Sequence, residues 1–160
     1  MAPPSVANLE LRQAGPDDER FLFTLYASTR ALEVALLPWS DAEKEAFLRM
    51  QFDAQRRHYA AQFPAATHDL ILVDGEPAGR LYVDRDESAI LVVDIALLPE
   101  QRGRGIGTAL LTGLLAGADA AGQTVSVHVE RGNPARRLYE RLGFVAVTDL
   151  GMYVQLERRS

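Results

Sequence analysis

Leu98-Pro99-Glu100-Gln101-Arg102-Gly103-Arg104-Gly105-Ile106-Gly107-Thr108 separates an apolar, strand-like segment, Ala89 to Leu97, from a Leu- and Ala-rich helical segment, Ala109 to Ala121. The order is strand, turn, helix. Glycines at 103, 105 and 107 remove the Cβ atoms that would keep a backbone from wrapping a phosphate. The helix that follows offers unpaired N–H groups and the positive end of its dipole. The stretch therefore predicts a seat for a diphosphate, built from backbone. Arg102 and Arg104 add positive charge beside it in a chain whose formal net charge is −5. Local basicity that runs against the overall balance favours an anionic small-molecule ligand.

On the N-terminal side, residues 1 to 5 read as a frayed tail, and Val6, Leu9 and Leu11 as a first short strand ended by Gly15-Pro16. Pro16 with Asp17, Asp18 and Glu19 fits a helix N-terminus, since proline suits the first turn and the acids complement the dipole. That helix is expected to run to about Leu36. Ser40 and Glu43 have capping-box spacing and open a second helix, with Phe47, Met50, Ala54 and His58 as its recurring face, up to Pro64. Leu70-Ile71-Leu72-Val73, Asp74-Gly75 and Ala78 to Val83 read as a hairpin, and residues 89 to 97 as the third strand of that sheet.

On the C-terminal side, Leu110, Leu111, Leu114, Leu115 and Ala118 form one stripe of a helix from about Ile106, which Gly122 ends. Val125, Val127 and Val129 alternate as a strand. Asn133-Pro134 opens a short helix that Gly143 closes, with Leu138 and Leu142 on its buried side. Phe144 to Thr148 and Met152 to Leu156 finish the chain as two strands around Gly151.

The 160 residues are expected to form one domain, 1–160, large enough to bury a core without disulfides or metal. Zero cysteines exclude a disulfide scaffold, a zinc–thiolate site and a cysteine nucleophile, so any thiol chemistry belongs to a cofactor. No apolar run approaches the roughly 20 residues of a membrane span, and Met1-Ala2-Pro3-Pro4-Ser5 lacks the pattern of a secretion signal. A cytoplasmic protein with no membrane partner is expected. With a pI near 5.2 and basic residues gathered no further than short pairs such as Arg102/Arg104 and Arg136/Arg137, nucleic acid is not expected as a partner. His58, His68 and His128 lack metal-ligand spacing, so no metal is expected. Trp39 reads as a packing anchor between the first two helices.

A glycine-rich turn alone also fits a dinucleotide-binding fold or a plain tight turn. In a dinucleotide fold the first glycine follows its strand almost at once, whereas here Leu98 to Gln101 intervene, and the turn lies past mid-chain. A Walker-type loop requires a lysine between the last glycine and the Ser/Thr, and Gly107 is followed directly by Thr108. A second motif stands downstream: Asn133-Pro134-Ala135-Arg136-Arg137-Leu138-Tyr139-Glu140-Arg141-Leu142-Gly143-Phe144. With Arg102-Gly103-Arg104-Gly105-Ile106-Gly107, which fits an Arg/Gln-x-x-Gly-x-Gly/Ala pyrophosphate loop at every fixed position, the chain resembles the GCN5-related N-acetyltransferases (GNAT). The resemblance covers residues 69 to 156, while the earlier helices match in arrangement.

The resemblance implies an α/β (α+β) fold with a mixed, largely antiparallel sheet of six or seven strands flanked by about four helices. It implies an enzyme, an acetyltransferase that moves an acetyl group from acetyl-CoA to a primary amine by direct attack. Backbone N–H groups from Gly103 to Thr108, flanked by Arg102 and Arg104 and including Ile106 and Gly107, would hold the pyrophosphate. Pantetheine would lie along Ile95, Ala96 and Leu97, where the strand parts from its neighbour at Val125, with the N–H near Leu97 polarising the thioester carbonyl. Asn133 would fix the pantetheine arm. Tyr139 would be the acid for the departing thiolate. One of Arg136 and Arg137 would reach the 3′-phosphate.

Where the family often has a glutamate, two residues before Ile95, this chain has Val93, which favours a water-relayed base. Asp94 matches an acid that some members use to hold a cationic acceptor. Tyr26, Arg30 and Glu33, spaced along one helical face, are candidates for the acceptor wall. The acceptor is a small-molecule or peptide amine, and pairing of the final strands would make a homodimer. The missing carboxylate at 93 motivates an alternative, a catalytically silent acyl-CoA-binding or CoA-sensing module. A dinucleotide-binding oxidoreductase is the third reading, and it predicts NAD binding in preference to CoA.

Overall fold

The computed structural model describes residues 8–159. The expected tail and Val6 lie outside them. The strands are β1 (Leu9–Gln13), β2 (Thr67–Val73), β3 (Glu76–Arg85), β4 (Ala89–Leu97), β5 (Thr124–Glu130), β6 (Val145–Asp149) and β7 (Tyr153–Arg158). The helices are α1 (Glu19–Ala35), α2 (Asp41–Gln62), α3 (Ile106–Ala121) and α4 (Arg136–Arg141). The strands form one seven-stranded sheet in the order β1-β2-β3-β4-β5-β7-β6. Every pairing is antiparallel except β4 with β5. That pair has to be parallel, because α3 carries the chain back to its starting end.

Strand alternation divides the core between the two faces. Ile71 and Val73 of β2 join Val83, Val92, Val127 and Leu156 in the cluster under α3 and α4, which contribute Leu111, Leu115 and Tyr139. Leu70 and Leu72 point the other way, to Leu22, Tyr26, Leu48 and Phe52 of α1 and α2. The local signals act as expected. Ser40 Oγ accepts from Glu43 N–H and Glu43 Oε1 accepts from Ser40 N–H, both at 3.1 Å. Gly122 ends α3 with φ +67°.

Two elements depart from the sequence expectation. Pro16 begins a 3-10 turn, Pro16–Asp18, and α1 starts at Glu19. Asp18 turns back to accept from Gly15 N–H at 2.8 Å and to pair with Arg12 at 2.9 Å, which ties the turn to β1. In α2 the buried residues are Leu48 and Phe52, and the expected face is wrong: Met50 is 58% exposed and Ala54 and His58 are exposed. One residue is 100° of helix. The true stripe continues through Gln55 and Tyr59, both half-buried, and their polar atoms hide it from an apolar count.

A bulge in β4 decides what the site contains. Tyr82 pairs with Asp94 but Val83 pairs with Val92, so Val93 is the extra residue. Simple alternation would put Asp94 beside Ile90 and Val92 in the apolar α3 core. The bulge moves it to the α1/α2 face opposite Tyr82, and returns Ile95 and Leu97 to the α3 side.

Candidate active site

The glycine turn is a row of amide donors with nothing attached. Pro99–Gln101 makes one 3-10 turn, and Gly103 and Gly105 take left-handed φ of +73° and +82°, with open space where a Cβ would stand. Among the described residues the N–H groups of Gly103 through Thr108 meet no carbonyl, and Ala109 is the first to do so, on Gly105 O at 2.9 Å. The side chains of the two arginines brace the turn: Arg102 Nε donates to Leu97 O at 3.1 Å, and Arg104 donates to Gln101 Oε1.

Beside the turn, β4 and β5 part. Their pairing runs from Ala89/Thr124 to Val92/Val127 and stops, so Val93 to Leu97 have no partner on that side. Leu98 N–H turns to β3 and donates to Ala78 O at 2.8 Å. Successive peptides of a strand alternate direction, so Leu97 N–H points the other way, across the gap. Gly79 lets the strands close on the other side: a Cβ there would collide with Ala96 O and stand 2.9 Å from Leu97 Cδ2.

Tyr139, 5% exposed, packs edge-on against Phe144 at 5.4 Å. Burial, and then the negative charge of Asp94, raise its pKa well above the ordinary tyrosine value. Asn133 is exposed and lies ahead of α4, its Oδ1 accepting from Ala135 N–H at 2.9 Å. This bond engages only the carbonyl end of the side-chain amide. Arg136 pairs with Glu140 at 3.8 Å, and Arg137 is exposed.

The α1/α2 face of the same gap is polar. Asp94 Oδ2 accepts a hydrogen bond from Arg80 Nε at 2.8 Å, and Arg80 Nη2 stands 2.7 Å from the same oxygen as an ion pair. Arg80 Nη2 also donates to Gln55 Oε1 at 2.9 Å. The guanidinium lies 5.7 Å from the Tyr59 ring and 5.8 Å from the Tyr82 ring. Burial, with Asp94 second, pushes the Tyr59 hydroxyl up to about 12. His68 stacks on Tyr82 at 4.7 Å, and burial first, then Arg80, bring its pKa down to about 4. A cavity of about 370 Å³ lies on the far side of this layer, under the start of α1.

Tyr26, Arg30 and Glu33 are adjacent but not equivalent. Tyr26 is buried, Arg30 lies 5.7 Å over its ring, and Glu33 faces solvent, 3.4 Å from Arg30 Nη1. Arg30 also reaches Glu130 at the end of β5, at 3.7 Å, which brings α1 to the parted strands. Arg80, Gln55 and Tyr59 are absent from the sequence expectation. The available signal is a pair of opposite charges, Arg80 in the apolar middle of β3 and Asp94 as the one charge of β4, since such charges are buried only when paired. Trp39, 38% exposed, packs on Phe47 at 5.2 Å, as an anchor at the start of α2. No group of His, Asp and Glu among the described residues is placed to hold a metal ion, and no helix there is long and apolar enough to cross a membrane.

A mixed sheet parted at its one parallel pair, with a glycine turn of free amides closing the gap, defines the acetyltransferase fold. The chain belongs to the Acetyltransferase (GNAT) family, whose sequence profile matches residues 27–144. No curated protein matches it. Among solved structures it is similar to the PaiA N-acetyltransferase of Thermoplasma acidophilum in complex with coenzyme A, with TM-score 0.71 and 16% identity over 96% of this chain and 99% of that one. An acetyltransferase of Thermus thermophilus gives TM-score 0.69 and 22% identity over 97% and 99%. Ard1 of Thermoplasma volcanium gives 0.61 and 17% over 94% and 97%. At these identities the likeness is one of fold.

Proposed function

We propose that the chain transfers the acetyl group of acetyl-CoA to a primary amine by direct attack. The observation that carries this reading is the run of free N–H groups from Gly103 to Thr108 beside the parted edge of β4. Those donors, with the dipole of α3 behind them and left-handed glycines open to solvent, fit a diphosphate. The flanking charges of Arg102 and Arg104 favour it further. The unpaired edge from Val93 to Leu97 fits an amide-bearing arm, and the PaiA N-acetyltransferase that this fold resembles is in complex with coenzyme A. Bound acetyl-CoA supplies an acyl group activated as a thioester.

The chain's own residues then have distinct tasks. Leu97 N–H, directed into the gap, donates to the acyl oxygen as it gains negative charge. Tyr139 gives its hydroxyl proton to the sulfur that leaves. Asn133 offers its amide N–H to the arm at the mouth of the gap. On the opposite face Asp94, with Arg30 and Tyr26 beyond it and Glu33 at the rim, receives the amine. Val93 is the bulge residue and carries no ionisable group, so water relays the amine's proton out to solvent, from which Tyr139 regains the proton it gave to the sulfur. The acceptor is a small-molecule or peptide amine, the domain spans the chain, and its place of work is the cytoplasm.

Calorimetric titration with acetyl-CoA, with NAD and ATP as controls, tests the first half. Release of free thiol in the presence of a panel of amines tests the second. Selective binding followed by amine-dependent thiol release is expected. Tight binding with no thiol release would establish the silent acyl-CoA-binding module in its place, and preference for NAD would overturn both.

A further inference from the structure

We propose that Arg80 is the positioning residue of the acceptor site, holding Asp94 so that one carboxylate oxygen is fixed and the other is left for the amine. The inference rests on the reading of Asp94 as the residue that receives the acceptor, and deepens it. Both nitrogens that Arg80 sends to Asp94 converge on Oδ2, and Oδ1 has no hydrogen-bond partner among the described residues. The Asp94 side chain is 30% exposed at the lip where β4 leaves β5, while that of Arg80 is 7% exposed. A carboxylate on a flexible side chain would sample several rotamers at such a lip. A charge-assisted hydrogen bond and an ion-pair contact on one oxygen select one of them.

Arg80 is itself held from a second element. Gln55 of α2 accepts from its Nη2 at 2.9 Å, and the rings of Tyr59 and Tyr82 lie 5.7 and 5.8 Å from the guanidinium. The chain Gln55–Arg80–Asp94 therefore runs from the second helix through the third strand to the splayed edge of the fourth. The bulge at Val93 makes it possible, by bringing Asp94 onto the face that Arg80 occupies. A planar guanidinium suits this task and an ammonium does not, since the rigid fork directs Nε to Oδ2 and Nη2 to Gln55 Oε1 at once, whereas the donors of an ammonium rotate about a flexible stem.

A purely structural arginine would lower the amount of folded enzyme and leave the kinetic constants of the folded fraction alone. A positioning arginine changes the constant for one substrate. In Arg80→Met, with active-site concentration normalised by acetyl-CoA titration, kcat/KM for the amine is expected to fall by on the order of ten- to a hundredfold, with KM for acetyl-CoA within about twofold. The same substitution in an Asp94→Asn background is expected to cost less than about threefold, because its route of action has already been removed. Arg80→Lys should recover stability and little of the amine kcat/KM.

If Arg80→Met does not fold, Gln55→Leu, which releases only the guanidinium's second anchor, carries the same comparison. Its expected loss is smaller, about two- to fivefold, and it too should vanish in the Asp94→Asn background. Equal fold-losses with and without Asp94, or parallel losses for amine and acetyl-CoA, would overturn the positioning role while leaving the acetyltransferase reading intact. A wild-type chain that binds acetyl-CoA and acetylates no amine would overturn that reading, and this inference with it.

Discussion

The two sides of the parted strands are built from different materials. On the α3 side the proposed donor site is mostly backbone: the amides of Gly103 to Thr108, the edge of β4, and an apolar core beneath them, with Tyr139, Asn133 and the flanking Arg102 and Arg104 as its side chains. On the α1/α2 side the proposed acceptor site is side chain: Asp94 from β4, Arg80 from β3, Gln55 and Tyr59 from α2, Tyr26 and Arg30 from α1. A backbone site depends on local conformation, so its specification is contiguous in the chain. A side-chain site depends on where several distant elements meet. The first can stay fixed while the second is rebuilt for another amine.

The sharpest way to break this contrast is to attack the backbone site at one atom. Gly105→Asp is expected to abolish acetyl-CoA binding, a loss of at least about a hundredfold by calorimetry. Its carboxylate would stand among the amides proposed to hold the diphosphate, replacing attraction with repulsion. Folding should survive at a cost of about 1 kcal/mol, because aspartate tolerates the left-handed φ of +82° better than most residues and its new Cβ meets nothing within 4 Å. Retained binding would mean the turn is not the seat. Tyr139→Phe comes next in size. Removing one hydroxyl should lower kcat by about ten- to a hundredfold and leave the Kd for acetyl-CoA within about twofold. Equal loss of binding would reassign Tyr139 to the core it shares with Phe144.

How much of this is legible in the sequence follows from the same contrast. The strand–turn–helix unit is written in consecutive residues, and β4, the start of α3 and its end at Gly122 fall where periodicity and glycines place them. The seven strands, four helices and mixed sheet agree with the family resemblance. The acceptor side is legible only in its parts. Asp94 stands out as a charge in an apolar strand, but its neighbour Arg80 is fourteen positions away and Gln55 a further twenty-five. Their meeting depends on the β2–β3–β4 register and on the bulge at Val93, which no local pattern announces. The α2 stripe lies to one side of its expected place because Gln55 and Tyr59 face inward to serve this polar group. Polar residues that face inward for function are the ones an apolar count rejects.

Asp94→Asn tests the side-chain half alone. Asparagine keeps an acceptor for Arg80 and loses the charge, so KM for a cationic amine is expected to rise about tenfold while the constant for acetyl-CoA holds within about twofold. A mostly buried guanidinium left without its counter-charge should also cost about 1–3 kcal/mol in denaturant unfolding. An unchanged amine KM would remove Asp94 from the acceptor site and leave it a purely structural partner of Arg80.

The smallest expected effect is in the pH dependence of stability, and it also divides by face. His68 lies in a row with Tyr82 and Asp94 on the α1/α2 side, and burial, then Arg80, lower its pKa from 6.5 to about 4. The folded state therefore disfavours the protonated ring. Above pH 6.5 both states are neutral and the contribution is complete. As pH falls from about 6.5 towards 4 the unfolded chain takes up a proton that the folded chain refuses, and stability declines. The ring is partly open to solvent, so the loss is about 1 kcal/mol, or roughly 2–4 °C in Tm for a chain of this size. The carboxylates whose pKa is lowered from 3.8, Asp18 by Arg12 and Asp119 by Arg158, lose their share only below that value. Acid destabilisation should thus come in two stages, and His68→Gln should flatten the upper one, between about pH 6.5 and 4, while leaving the lower in place. A wild-type Tm that is level across that upper window would show that the polar face takes up its proton freely, and that its burial is looser than that of the apolar face behind it.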